Sequence, residues 1–225
     1  MIKIVIFDGN GVLYDVSGAA KLFYSKMKEF LKRHKPNGAT LEEILDRESR
    51  IWRDLDDATK RGKLSMRDAH LKVFEELGIP TGLIDEYEEM DRKAFATTVL
   101  TEPDVPEALR HIKKMGTHTA LLSDSARPSA ELKPLLEKLG IAQYIDGIFV
   151  SSEIGYEKPE KEAYEAVLKK FVAAPADSVF VGHDKEELAG ARMLGIRTIS
   201  YRGDPICDCV AQNFKQVESC IKGIL

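Results

Sequence analysis

The stretch Ile2-Lys3-Ile4-Val5-Ile6-Phe7-Asp8-Gly9-Asn10-Gly11-Val12-Leu13 decides the fold. Its first six residues, β-branched or aromatic apart from one lysine, read as a buried strand that the two glycines break. A carboxylate, Asp8, stands at the end of that strand, and the glycines beside it let backbone approach a ligand closely. Working outward, the next stretch is helical throughout. Ala20, Phe23, Met27 and Phe30 recur at steps of three and four, as do Leu41, Ile44, Leu45, Trp52 and Leu55. Pro36-Asn37-Gly38 separates these two helices, Thr40 is placed to cap the second with Glu43 three residues on, and two more helices fit 65–77 and 81–97. Beyond 100 the pattern alternates. Strands over 118–122, 147–150, 178–181 and 196–201 are separated by helices, and a last helix is expected over 210–221. Alternation at this spacing predicts an α/β chain, a doubly wound parallel sheet with helices on both faces. The first strand belongs to that sheet, so the helical block is an insertion that leaves near Tyr14 and returns near Leu100. The expected organisation is a core of residues 1–14 and 99–225 with an all-helical cap of residues 15–98.

Composition narrows the partners. The chain has 225 residues, enough for one full domain and a smaller lobe, with 44% hydrophobic and 31% charged residues. Thirty-three basic residues face 37 acidic ones, a net charge of -4, so a general basic field for nucleic acid is absent. No apolar run approaches the ~20 residues of a membrane span. The apolar part of the N-terminal stretch is too short for a signal peptide. Cys207, Cys209 and Cys220, odd in number and crowded together, make a poor disulfide framework. A cytoplasmic protein is expected, with no nucleic-acid or membrane partner; no oligomeric state follows from the sequence.

In open α/β sheets, sites form beyond the carboxyl ends of the strands. Four such ends carry polar residues: Asp8-Gly9-Asn10-Gly11, Ser123-Asp124-Ser125, Gly155-Tyr156-Glu157-Lys158-Pro159 and Gly182-His183-Asp184. Asp8 is a candidate nucleophile or metal ligand, or an Asp closing a turn. Ser123 is able to donate to a phosphate oxygen or to cap a helix. Lys158, before a proline expected to start a helix, is able to neutralise an anion or to stand solvated.

The order of these segments resembles the haloacid dehalogenase-like hydrolase superfamily, in its subgroup with a helical cap after the first strand of a Rossmann-like core. The carrying motifs are Asp8-Gly9-Asn10-Gly11-Val12-Leu13, Leu121-Leu122-Ser123-Asp124-Ser125, Ser152-Glu153-Ile154-Gly155 with Lys158-Pro159, and Val181-Gly182-His183-Asp184-Lys185-Glu186-Glu187 followed by Gly190-Ala191. The resemblance implies a Mg²⁺-dependent phosphatase of a small phosphorylated metabolite. Asp8 would form an aspartyl-phosphate, and Ser123, Asp124 and Lys158 would hold the substrate. Asp8, the carbonyl of Asn10, and Asp184 or Glu187 would hold the metal. Fixed positive charge and positioned donors suit such a transfer.

Two positions depart from the family pattern. Asn10 stands where family phosphatases place an acid/base Asp, and an amide exchanges no protons at neutral pH. General acid–base catalysis is typically worth ~10²–10⁴ in rate. A weakened phosphatase, an altered natural sequence, and a chemistry that needs no proton there all fit this residue. His183 replaces the first Asp of the fourth motif, and Mg²⁺ prefers oxygen ligands. Two alternatives stay open. A non-catalytic binding or regulatory protein would keep the fold and the anion pocket. A carbon–halide hydrolase would need neither a metal nor a proton for its leaving group; it would need a cap arginine, for which Arg47, Arg50 and Arg53 are available on a face that reads as solvated.

Other features carry two readings each. Lys60-Arg61-Gly62-Lys63 with Arg67 would greet an anionic substrate tail or be exposed. The acidic run from Asp85 to Asp91 reads as a solvated helix face. Trp52 reads as packing rather than a substrate platform. Cys207-Asp208-Cys209 reads as a soft-metal pair or a chance placement after the last strand.

Overall fold

The computed structural model describes residues 2–203 and 207–224. The first strand, β1 (Ile4–Asp8), is wholly buried and lies at the centre of a six-stranded sheet. It pairs in parallel with β4 (His118–Ser123) on one side and β6 (Ser178–Gly182) on the other. Outside them lie β5 (Gly147–Val150), β7 (Arg197–Tyr201) and β8 (Cys209–Ala211), giving the order β5-β4-β1-β6-β7-β8 with every pairing parallel. Strand side chains alternate between two faces. Val5 and Phe7 pack with Leu109, Leu136 and Phe214 on one face, and Ile4 and Ile6 pack with Tyr164, Val167 and Leu188 on the other. Burial on both faces is why β1 reads as an unbroken apolar run.

The insertion leaves and returns through a two-stranded antiparallel pair, β2 (Tyr14–Asp15) with β3 (Val99–Leu100), at the positions expected for the two crossings. Between them run α1 (Ser17–His34), α2 (Leu41–Lys60), α3 (Met66–Leu77) and α4 (Ile84–Phe95). Thr40 and Glu43 form the expected capping box on α2, Ser65 caps α3, and Gly78 ends α3 at φ 70°. The four helices close around their own core of Phe30, Ile44, Phe74 and Tyr87, with Trp52 packed against it as expected. The remaining helices are α5 (Val105–Lys114), α6 (Ser129–Lys138), α7 (Ser151–Ile154), α8 (Lys161–Phe171), α9 (Lys185–Met193) and α10 (Phe214–Ile224).

Three expectations are corrected. The closing helix begins at Phe214, because the first residues assigned to it form β8 at the sheet edge. Strand β8 and α10 face each other, which brings the Cys209 and Cys220 Cα atoms to 6.0 Å and joins them in a disulfide despite the poor sequence framework. Pro159 does not start a helix: the Lys158–Pro159 peptide is cis and α8 begins at Lys161. Among the described residues no helix is long and apolar enough to cross a membrane.

Candidate active site

Because β1 lies between β4 and β6, its last residue meets the polar ends of both neighbours. Asp8 is 5% exposed, and its Oδ1 accepts from Lys158 Nζ at 2.9 Å and from the Gly9 amide at 2.8 Å. Its Oδ2 lies 3.1 Å from His183 Nδ1. Lys158 comes from the turn between α7 and α8 and is almost wholly buried. Its ammonium also lies 3.2 Å from Glu187 Oε1 on α9 and 3.6 Å from Asp124 Oδ2. The Lys158 amide donates to the other Asp124 oxygen at 3.1 Å, fixing the turn to the end of β4. One lysine therefore gathers three carboxylates.

Charge and burial compete here. Burial alone would raise the Asp8 carboxyl, but Lys158 and His183 outweigh it and hold it below the ordinary carboxylate range. Burial likewise opposes the Lys158 ammonium, and Asp8, Glu187 and Asp124 more than restore it, pushing it above the usual lysine value. Asp124 is raised by burial, offset in part by Lys158. Glu187 is pushed up to about 7 by burial, reinforced by the charges of Asp8 and Asp124. The bond to Asp8 raises His183 above the usual imidazole value.

The other expected residues divide. Ser123 ends β4, buried at 5% exposure, one residue beyond the Leu122 that pairs with Asp8. Asn10 is exposed, and its Oδ1 accepts from the Val16 amide at 3.1 Å, so its side chain braces the approach to α1. Asp184 is turned away. Its Oδ1 accepts from the Glu186 and Glu187 amides at 2.8 and 3.1 Å, capping α9. Two residues escaped the sequence reading. Tyr14 is buried near Ser123, and burial pushes its hydroxyl up to about 12. A Cβ on Gly9 would stand 2.5 Å from the Tyr14 hydroxyl, so the glycine makes room for that ring. The other is Arg127, whose guanidinium pairs with Asp91 of α4.

The basic cluster between α2 and α3 is a latch rather than a free patch. Arg61 pairs with Asp57 on its own helix and reaches Glu160 at 2.8 Å and Glu157 at 3.7 Å beside Lys158. Next to it, a Cβ on Gly62 would stand 1.9 Å from the Ser152 carbonyl, so only glycine lets the block sit this close to the sheet. Lys60 pairs with Asp56, Lys63 lies 3.8 Å from Asp57, and Arg67 binds Asp85 and Glu88 of the acidic run. That run is thus partly used in pairing. Cys207 Sγ lies 2.9 Å from the Cys209 carbonyl oxygen, and Asp208 accepts from the Thr198 amide and hydroxyl.

The donors present do not fit a magnesium ion as arranged. Asp8 Oδ1 faces the Lys158 ammonium and Oδ2 the His183 ring nitrogen, Glu187 Oε1 is on Lys158, and Asp184 Oδ1 is committed to α9. Among the described residues, Glu187 Oε2 is the carboxylate oxygen buried without a partner. One such oxygen is far from the octahedral oxygen set that Mg²⁺ demands. Among the described residues no group of three or more His, Cys, Asp or Glu could hold a metal ion.

A buried carboxylate ending the central strand, a lysine gathering it with two further acids, and a serine on the neighbouring strand stand together at the carboxyl end of the sheet. A family model described as haloacid dehalogenase-like hydrolase matches residues 2–195, and the chain belongs to that family. Among its relatives, a glyceraldehyde 3-phosphate phosphatase of Methanothermobacter thermautotrophicus is 28% identical over 208 residues, covering 88% of this chain and 85% of that one. A ribulose-1,5-bisphosphate 5-phosphatase of Halopiger xanaduensis is 30% identical over 109 residues, covering 48% of this chain and 45% of that one. The chain spans about half the length of several of the curated relatives it matches. A 2-haloacid dehalogenase from Pseudomonas syringae pv. Tomato DC3000 superposes with a TM-score of 0.77 at 20% identity, over 100% of both chains. At that identity the likeness speaks to the fold.

Proposed function

We propose that this chain is a phosphatase acting on a small phosphorylated metabolite, with residues 15–98 as a cap over a core of residues 1–14 and 99–225. Asp8 is the nucleophile: a carboxylate oxygen attacks phosphorus, the ester oxygen leaves, and water then hydrolyses the aspartyl-phosphate. The observation that carries this reading is the buried Asp8–Lys158 contact at 2.9 Å on the central strand. Lys158 keeps Asp8 ionised beside an anionic substrate and, with the Ser123 hydroxyl, holds the transferring group. Positive charge at the phosphoryl group comes from Lys158 and His183, and no step here is carried by the magnesium ion that the resemblance implied. Asn10 gives the leaving oxygen no proton, so the proton comes from solvent and turnover is slow.

Hydrolysis of p-nitrophenyl phosphate tests this. Asp8→Ala should abolish turnover, and Asn10→Asp should raise it by about 10² or more, within the range of acid–base catalysis. Turnover that survives Asp8→Ala would overturn the assignment. Phosphate binding without turnover in the wild type and in Asn10→Asp would favour the non-catalytic binding protein.

A second reading, hydrolysis of a carbon–halogen bond, is favoured by one observation: Asp8 is flanked by nitrogen cations while Asn10 carries no proton to give. The expected cap arginines do not serve it. All three are exposed, Arg47 is bound to the Glu76 carbonyl, and Arg50 is paired with Asp46. Halide release from 2-chloropropionate, lost in Asp8→Ala, would establish it.

A further inference from the structure

Between the helical block and the strand ends lies a chamber of about 370 Å³ whose lining includes Asn10, Ser123 and Asp124, neighbours of Asp8. That is near the lower end of the ~300–1,000 Å³ typical of small-molecule sites. One side is polar, formed by Asn10, Ser123, Asp124 and Ser125 at the strand ends. The other side is apolar: Ala19, Ala20 and Phe23 from α1, Phe95 from α4 and Leu132 from α6. Among the residues lining the chamber, Arg127 is the sole cation. Its guanidinium is already taken. Nη2 lies 2.5 Å from Asp91 Oδ2, Nη1 lies 3.0 Å from Glu131 Oε2, and the group lies over the Phe95 ring at 4.2 Å. Both partners of the Arg127–Asp91 pair are largely buried, at 19% and 14% side-chain exposure.

The balance of charge has a consequence for the ligand. Under the phosphatase reading the one anionic group is received at the strand ends, where Ser123 lines the chamber and Lys158 lies behind the lining Asp124 at 3.6 Å. At the far end, a second anion would have to displace a carboxylate from Arg127 while facing Asp91. Removing a partner from a buried pair is costly, because it leaves the other charge uncompensated. Apolar groups at that end gain by leaving water.

We propose that the part of the substrate remote from the reacting phosphoryl group is compact and apolar and carries no second anionic group, seated between Phe23, Phe95 and Leu132. Arg127 is a specificity-determining residue by being neutralised: with Asp91 it closes the chamber to a carboxylate or second phosphate. This deepens the phosphatase reading and rests on it for the anionic end of the ligand.

Binding of two non-hydrolysable probes, benzylphosphonate and phosphonoacetate, is compared by titration calorimetry on the full chain. Benzylphosphonate should bind at least tenfold more tightly. Phe23→Ala should weaken benzylphosphonate several-fold and leave phosphonoacetate unchanged, while Asp91→Asn should tighten phosphonoacetate by freeing Arg127. Equal affinity, a preference for phosphonoacetate, or failure of both probes to bind the wild type overturns the proposal. The readout is separate from turnover. A tenfold preference in a protein that hydrolyses no phosphate ester would sink the phosphatase reading and leave the chamber's selectivity standing.

Discussion

The two ends of the sheet hold the same pair of groups under opposite conditions. At the carboxyl end, Asp8 and Lys158 meet at 2.9 Å with side chains 7% and 1% exposed, and two more acids share the lysine. At the other end, Asp146, just before β5, meets Lys113 of α5 at 2.5 Å with side chains 30% and 27% exposed. Asp146 spends its other capacity on structure, accepting from the Thr119 amide where β4 begins. A partly solvated pair of this kind ties α5 to the start of β5 and adds little. The buried cluster is costly to assemble and leaves Glu187 Oε2 without a partner. Excess burial and excess acid at one end make a local cost in stability of the kind that accompanies chemical sites.

Removing the lysine should break that contrast most severely. Lys158→Met leaves Asp8, Asp124 and Glu187 uncompensated and is expected to cost about 3–5 kcal/mol of unfolding free energy at pH 7. Denaturant melts check this, and a loss below about 1 kcal/mol would show that the cluster is not desolvated as described. The His183→Asp change tests the charge supply. It exchanges a nitrogen beside Asp8 for oxygen, and Mn²⁺ binding followed by water-proton relaxation should tighten at least tenfold over the wild type. Tight binding by the wild type, lost in Asp8→Asn, would instead place a metal among the present donors.

The smallest effect belongs to the other end. Lys113 and the Thr119 amide hold the Asp146 carboxyl below its ordinary value despite partial burial. Its folded value is depressed, so its contribution is full above the unfolded value near 4 and fades as pH falls through the folded one. Asp146→Asn should therefore lose about 1 kcal/mol between pH 5 and 7, and the gap to the wild type should close below pH 4. A gap that persists to pH 3 would mean that Asp146 acts by shape rather than charge.

Elements whose signal lies in their own residues were legible in sequence. The buried run of β1, the capping box at Thr40 and Glu43, and the two crossings near Tyr14 and Leu100 all stand where the pattern put them. Strand β8 was not legible, being three residues long at an edge, too short for a period to show, and the Cys209–Cys220 bridge went unseen with it. Within the site, residue types were readable and side-chain directions were not. An aspartate at a strand-to-helix junction faces either the cleft or the helix amides, and Asp184 takes the amides. Arg61 and Arg127 were unreadable for a related reason: their carboxylate partners Glu160 and Asp91 come from distant segments.

The antiparallel pair of β2 with β3 has an evolutionary corollary. Since the outgoing and incoming crossings are bonded to each other, the sheet meets the insertion as it would meet a tight hairpin, whatever its length. The entropy of closing such an excursion grows only with the logarithm of its size, roughly 0.6 kcal/mol for each doubling. Lineages can therefore lengthen, shrink or exchange the roof over this cleft while the floor keeps its register, so that α1 to α4 are open to remodelling above the buried Asp8 carboxylate.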